Sequence, residues 1–281
     1  MVNGCVLVDK EVGRTSRKEV DIVSARLGEK KAGHIGTLDP FANGLLIVLL
    51  GNATKISGLL EREDKAYIGT IKLGIKTDSA DITGEVVETK SIPALPREKI
   101  TRVLDSFLGK SMQTPPIYSA LKKNGKPLYV YARKGEKVDI APREIHIYEI
   151  NLMKFENDEI TFYAKVSKGT YIRTLGEDIA SRLGTVGTLK ELTRLSIGEF
   201  NLEKSHLAEN VTLNDVIPIE KMLTNIPQLD VKGNIAKQAK NGMHIRLDIK
   251  DEIVMLKDKD GIIAIYKHDH DNVYACQRGF R

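Results

Sequence analysis

Gly33-His34-Ile35-Gly36-Thr37-Leu38-Asp39-Pro40-Phe41-Ala42-Asn43-Gly44 runs without a break into the apolar string Leu45-Leu46-Ile47-Val48-Leu49-Leu50. Three glycines in twelve residues mark backbone that bends tightly or approaches something closely. The apolar string, bounded by Gly44 and Gly51, reads as a strand buried on both faces. Pro40 pushes Asp39 out of the helical region into extended geometry, so a carboxylate is held on a stiff loop ahead of that strand. Loops anchored in this way often carry binding and catalytic groups. An Asp-Pro pair is also an ordinary turn initiator, and spacing alone leaves both readings open.

Toward the amino terminus, residues 4–8 read as a short strand. Ser16 and Glu19 form a capping-box pattern ahead of a helix whose Val20, Val23 and Leu27 share a face and which Gly28 stops. Toward the carboxyl terminus, residues 51–55 turn the chain, and Tyr67, Gly69, Ile71 and Leu73 begin a strand. The polar connection 77–84 holds Asp78 and Asp81, but glycine is misplaced for a calcium loop and no glutamate stands at its twelfth position. It reads as a turn. Residues 96–108 predict a helix with Ile100, Val103, Leu104, Phe107 and Leu108 as its apolar stripe. Strands are predicted over 144–151 and 160–166. A helix carrying Leu175, Ile179, Ala180 and Leu183 comes later, and Gly184 closes it. If residues 171–173 are extended, alternation puts Tyr171 and Arg173 on one face. Beyond about residue 228 the pattern changes to short strands over 253–256, 262–266 and 273–276, separated by turns at 258–261 and 267–272. His268 and His270 lie in the second turn with no third ligand well placed, so they read as exposed turn residues.

Composition bounds the answer. With 281 residues the chain can build one large domain and a small one. Its apolar and charged fractions, 41% and 29%, are those of a globular protein. A net charge of +5 permits an RNA partner without requiring one. Cys5 and Cys276 are too few for a disulfide framework, and no C-x-x-C suggests zinc or redox chemistry. No apolar run approaches a membrane span, and no signal-peptide pattern opens the chain, so a cytoplasmic protein is expected.

Residues 113–142 form the best candidate for an RNA-gripping surface. From Tyr118 to Lys137, Lys122, Lys123, Lys126, Arg133, Lys134 and Lys137 stand against one acid, Glu136, and Tyr118, Tyr129 and Tyr131 are interleaved with them. Phosphates attract the cations, and unstacked bases stack on the rings. A solvated charged face has the same composition.

Four motifs and this insertion together resemble the TruB family of tRNA pseudouridine synthases. The 33–44 string matches its Gly-His-x-Gly-Thr-Leu-Asp-Pro-x-Ala-x-Gly motif, with Asp39 on the essential aspartate. Lys10, Gly13, Thr15 and Ser16 match a first motif in which Glu11 replaces the usual proline, and the stretch 65–84 resembles a second, with Tyr67 on its tyrosine. Residues 167–173 reproduce Ser-x-Gly-Thr-Tyr-Ile-Arg, and Leu192 falls in a segment resembling the apolar wall of the uracil pocket. The segment after residue 228 resembles, more weakly, a PUA-like RNA-binding barrel.

The resemblance implies an α+β pseudouridine synthase fold: a mixed, largely antiparallel central sheet flanked by helices, plus a small C-terminal β-rich PUA-like domain. The expected division is a catalytic domain over 1–228, with its insertion at about 113–142, and a terminal domain over 229–281. The implied reaction isomerises the T-loop uridine of tRNA, conventionally position 55, to pseudouridine. No cofactor or metal is expected, tRNA is the partner through its T-arm, and a monomer without a membrane role is expected. Asp39, Tyr67, Tyr171 and Arg173 are the expected catalytic residues. Tyr67 would stack on the flipped base, Arg173 would pair with Asp39, and Tyr171 would orient that pair or help move a proton at C5. Substrate binding falls to His34, Leu192, Lys10, Tyr118, Lys122, Lys123 and Lys126, with Lys10 near RNA phosphate and His34 in the vacated loop. Two other classes fit parts of the chain. A carboxylate-dependent glycoside hydrolase would need a second catalytic acid, and a non-catalytic tRNA-binding or folding protein would leave Asp39 and Arg173 unexplained.

Overall fold

The computed structural model describes residues 2–136 and 138–280; Lys137, counted above in the basic insertion, lies outside them. The chain begins β1 (Gly4–Lys10), α1 (Ser16–Leu27), β2 (Ala32–Ile35), β3 (Asn43–Leu50), a 3-10 helix (Gly51–Ile56) and α2 (Ser57–Leu60). β4 (Lys65–Leu73) and the hairpin β5 (Ile75–Thr77) and β6 (Val86–Thr89) precede α3 (Arg97–Asp105) and β7 (Gly109–Gln113). The insertion contributes β8 (Lys122–Lys123), β9 (Lys126–Pro127) and α4 (Leu128–Ala132). β10 (Arg143–Glu156), β11 (Glu159–Val166), α5 (Ile172–Arg182), β12 (Gly187–Ile197), β13 (Phe200–Asn201) and α6 (Ile219–Met222) follow. The last part is β14 (Gln228–Asp230), α7 (Gly233–Lys240), β15 (Ile245–Arg246), β16 (Ile253–Asp258), β17 (Gly261–His270) and β18 (Val273–Gly279).

A nine-stranded sheet runs β1-β3-β12-β4-β11-β10-β7, with β2 added on β3 and β13 on β12. β12 meets β3 in parallel over Thr193–Asn43 and Arg194–Gly44, whereas β4 pairs antiparallel with both β12 and β11. The expected mixed, largely antiparallel sheet is therefore present. β3 explains its own sequence. Leu46, Val48 and Leu50 pack in a cluster with Val20 and Val23 of α1, while Leu45, Ile47 and Leu49 join Met222, Met255 and Ile265 on the other side. A strand covered on both faces reads as an unbroken apolar run. A third cluster holds Tyr67, Ile71, Phe162, Leu175, Ile179 and Leu192 between α5, α3 and the middle of the sheet.

The terminal sheet, ordered β14-β16-β17-β18-β15, is separate from the large one, and α7 packs on it through Ala236 and Ala239. That helix is absent from the sequence expectation. Its segment carries alanines and a single large apolar residue, Ile235, so no stripe announces it.

Several local readings change. The N-cap of α1 is Thr15, whose hydroxyl accepts from the Lys18 amide at 3.2 Å, not Ser16. Residues 51–55 are part of a 3-10 helix rather than a simple turn. His268 and His270 belong to β17, which runs up to the turn at Asp271 and Asn272. α5 starts at Ile172, so Arg173 is already helical, and the alternation that placed it on one face with Tyr171 does not apply.

Candidate active site

The loop that carries Asp39 connects β2 to β3 as an antiparallel hairpin, with Ile35 opposite Ile47. It leaves β2 and returns to β3 where β12 takes over as the neighbouring strand, at Asn43 and Gly44. Its position is fixed from beneath. Ser16 uses its hydroxyl here instead of at a cap, accepting from the Leu38 amide at 2.9 Å and donating to the Leu38 carbonyl at 3.1 Å. Lys10, at the end of β1, is 0% exposed, and its ammonium donates to the carbonyls of Ala42 (2.6 Å), Glu11 (3.0 Å) and Pro40 (3.5 Å). Burial pushes its pKa down to about 8, opposed by Glu19 and Asp39. The phosphate-contact reading of Lys10 is therefore corrected: its charge is enclosed among loop carbonyls and faces no solvent.

Above this base Asp39 and Arg173 meet. Arg173 Nε lies 2.9 Å from Asp39 Oδ2, and Nη2 donates to Oδ1 at 3.3 Å, a two-point grip. The Asp39 side chain keeps 34% of its surface exposed, against 6% for Arg173, so a part-exposed carboxylate is backed by a buried guanidinium. Burial raises the Asp39 pKa above the ordinary carboxylate range; Arg173 pulls it down, Asp81 pushes it up and Lys10 pulls it down. The remaining Arg173 donors reach the Ser79 carbonyl (Nη1, 2.9 Å) and the Tyr118 carbonyl (Nη2, 2.8 Å). Asp81, buried and 3.7 Å from Nη1, also accepts from the Thr83 amide and hydroxyl. The 77–84 connection, read above as a plain turn, thus supplies a second carboxylate behind the arginine.

Tyr171, just before α5, has its backbone held at both ends by Gln113, which donates to its carbonyl at 3.0 Å and accepts from its amide at 2.8 Å. Burial raises the pKa of its phenol, with the Ser119 hydroxyl opposing. Tyr67 and Leu192 join Leu38, Phe41 and Ala42 in one apolar cluster beside the loop. His34, on β2 rather than in the loop, has a buried Nδ1 without a hydrogen-bond partner. Burial lowers its pKa, and Arg194 and Arg17 lower it further.

Of the insertion residues, Tyr118 donates its hydroxyl to Asp78 Oδ2 at 3.1 Å. Lys122 and Lys126 are exposed, while Lys123 donates to the Asp139 carbonyl and so ties the insertion together. Asp81 reads in the sequence only as a turn residue, and Gln113 and Arg194 carry no local pattern there, one being a glutamine at a strand end and the other an arginine inside a strand.

The family model described as "TruB family pseudouridylate synthase (N terminal domain)" matches residues 25–172. The tRNA pseudouridine synthase B of Hydrogenovibrio crunogenus is 50% identical over 213 residues, covering 76% of this chain and 70% of that protein. The proteins of the same name from Francisella philomiragia and Oenococcus oeni are each 39% identical, covering 95% and 100% of this chain and 92% and 96% of theirs. Among solved structures, a chain of an H/ACA RNP bound to a substrate RNA containing 2′-deoxyuridine superposes with a TM-score of 0.72 at 22% identity, covering 99% of this chain and 85% of that one. A chain of the archaeal box H/ACA sRNP Nop10-Cbf5 complex gives 0.73 at 22%, covering 99% and 86%. These two show likeness of fold.

Proposed function

The chain belongs to the TruB family of pseudouridylate synthases, and we propose that it isomerises the T-loop uridine of tRNA, conventionally position 55, with Asp39 as the essential group. The observation that carries this reading is the Asp39 carboxylate, open to the outside yet held at two points by a buried arginine. The reaction breaks the C1′–N1 bond, turns the uracil over and joins C1′ to C5; the C5 proton leaves to a base and N1 gains one. No electron is transferred and no outside energy is needed.

The target base leaves its stack at a cost of about a few kcal/mol, which a fitted pocket offsets. In this reading Tyr67 stacks on the flipped uracil and Leu192 bounds it from the β12 side. Asp39 acts as an anion on the sugar, and Arg173 keeps it ionised against burial. Tyr171, fixed by Gln113, orients the pair and helps move the C5 proton. His34 fills the space that the flipped base leaves in the RNA loop. Tyr118, Lys122 and Lys126 hold the T-arm, Lys123 stiffens the insertion, and the sheet after residue 228 extends the RNA contact. The protein works as a monomer, without metal or cofactor, where its tRNA substrate is made, in the cytoplasm. A binding-only role leaves the two-point grip on Asp39 without a purpose.

The test is pseudouridine formation on an unmodified tRNA transcript by the wild-type protein and by Asp39→Asn. The wild type is expected to convert one uridine in the T-loop. Asp39→Asn keeps the shape but loses the charge, so it is expected to bind tRNA normally and make no product. Product from Asp39→Asn would remove Asp39 from the centre of the mechanism.

A further inference from the structure

Arg194 lies in the middle of β12, where its backbone is paired to Gly44 of β3 on one side and to Tyr67 of β4 on the other. Its side chain is buried, with 1% of the residue exposed. Nε donates to the Leu45 carbonyl at 2.7 Å and Nη2 to the Gly36 carbonyl at 2.8 Å, while the Tyr67 hydroxyl interacts with the same guanidinium. One planar group therefore holds both ends of the Asp39 hairpin by hydrogen bonds and interacts electrostatically with the hydroxyl of the ring beside it. Gly44 is crowded by the backbone of residue 194, and Gly36 by the guanidinium itself. A Cβ on Gly44 would stand 2.5 Å from the Arg194 carbonyl oxygen. Gly36 has φ +63°, and a Cβ there would meet Arg194 Nη1 at 3.1 Å and Lys65 Cε at 3.6 Å.

Burying a guanidinium costs several kcal/mol that an apolar residue would not incur, so filling space does not account for it. What only a rigid fork can do is hold a carbonyl of the loop, a carbonyl of the strand and a phenol hydroxyl at fixed mutual distances. We propose that Arg194 is a positioning residue for the isomerisation, setting the distance between the Tyr67 ring and the Asp39 carboxylate by binding the backbone of one and the hydroxyl of the other. The inference rests on the functional reading given above. It assigns Arg194 no contact with the substrate; Arg194 acts through Tyr67 and through the loop.

The test compares Arg194→Lys, Tyr67→Phe and the double variant by thermal melting, tRNA binding and single-turnover pseudouridine formation at saturating enzyme. Lysine keeps a buried cation that reaches one carbonyl but not all three partners. Arg194→Lys is expected to bind tRNA within about threefold of wild type and to turn over about 100-fold more slowly, as a small misplacement of reacting groups allows. Because both residues act on one distance, the double variant is expected to be no more than about threefold slower than the slower single one, a strongly non-additive cycle. A wild-type rate in Arg194→Lys, or losses that simply multiply, would overturn the proposal. If Arg194→Lys does not fold, the arginine side-chain ¹⁵N spectrum of Tyr67→Phe decides. A displaced Arg194 guanidinium signal supports the tie, and an unmoved one reduces Arg194 to a structural residue. A wild-type protein that forms no pseudouridine in the same assay would instead refute the functional reading itself.

Discussion

At the scale of single residues, the decisive contest is over the charge of Asp39. Burial raises its pKa first and most, Asp81 adds to the rise, and Arg173 and Lys10 oppose it. In the proposed reaction Asp39 acts as an anion, so the acidic limb of the rate profile should follow its pKa. Removing Arg173 deletes the principal lowering influence and leaves burial and Asp81 opposed by Lys10 alone, so the pKa rises. Arg173→Ala should therefore move the acidic limb of the single-turnover rate to higher pH, with a severe fall in rate below it. A variant whose limb stays in place would show that Arg173 serves Asp39 by position alone. Asp39, Tyr67 and Arg173 were legible in the sequence because each sits in a family motif. Lys10 was legible as a motif residue but not in its role: its matching position says nothing about burial, and only the carbonyls around its ammonium show that it supports the loop. Asp81 stayed hidden for the opposite reason. It is an ordinary turn residue until the fold brings α5 against it.

At the scale of elements, β3 and α7 mark the two ends of what periodicity can reveal. Six consecutive apolar residues identify a doubly covered strand whatever surrounds it, whereas a helix anchored by Ala236 and Ala239 is invisible until its sheet is present. The insertion stands between them: its composition suits RNA contact and a solvated charged face alike, and the different settings of its lysines come from the structure. Lys122 and Lys126 are open to solvent and Lys123 binds the Asp139 carbonyl. Replacing Lys122 and Lys126 by alanine should weaken tRNA binding and flatten its salt dependence, by about 0.7 in the log–log slope for each phosphate that loses its lysine. Lys123→Ala should act mainly on the order of the insertion, with a smaller change of slope. Titrations of tRNA at several salt concentrations separate the two, and a double variant with the wild-type slope would return these lysines to a merely solvated face.

At the scale of the molecule, the change of pattern near residue 228 marks a change of sheet but not of core. Leu45, Ile47 and Leu49, which follow the Asp39 loop directly, share one apolar cluster with Met255, Ile265 and Phe280 of the terminal segment. The join is also tied by hydrogen bonds, from Asn52 Nδ2 to the Phe280 carbonyl at 2.6 Å and from Lys55 Nζ to the Gly279 carbonyl at 2.7 Å. A cavity of about 580 Å³ opens at this join and is lined in part by Leu59, Met222, Leu223, Ile253 and Ile265; none of the motif residues borders it. Sequence patterning reads strands and turns one at a time, so it sees a terminal module that looks detachable. The packing says that one face of β3 relies on that module for part of its cover. Met255 is fully buried in that cover, and Met255→Ala should cost about 2–5 kcal/mol. The loss should appear in catalysis by residues far from the substitution, as a lower temperature at which activity on a T-arm minihelix disappears, in step with a single unfolding transition followed by circular dichroism. Deleting residues 230–281 removes the whole of that module's cover and should leave a chain that does not fold stably. A Met255→Ala protein that melts in two stages, keeping minihelix activity through the first, would show instead that the terminal segment folds for itself and only leans on the nine-stranded sheet.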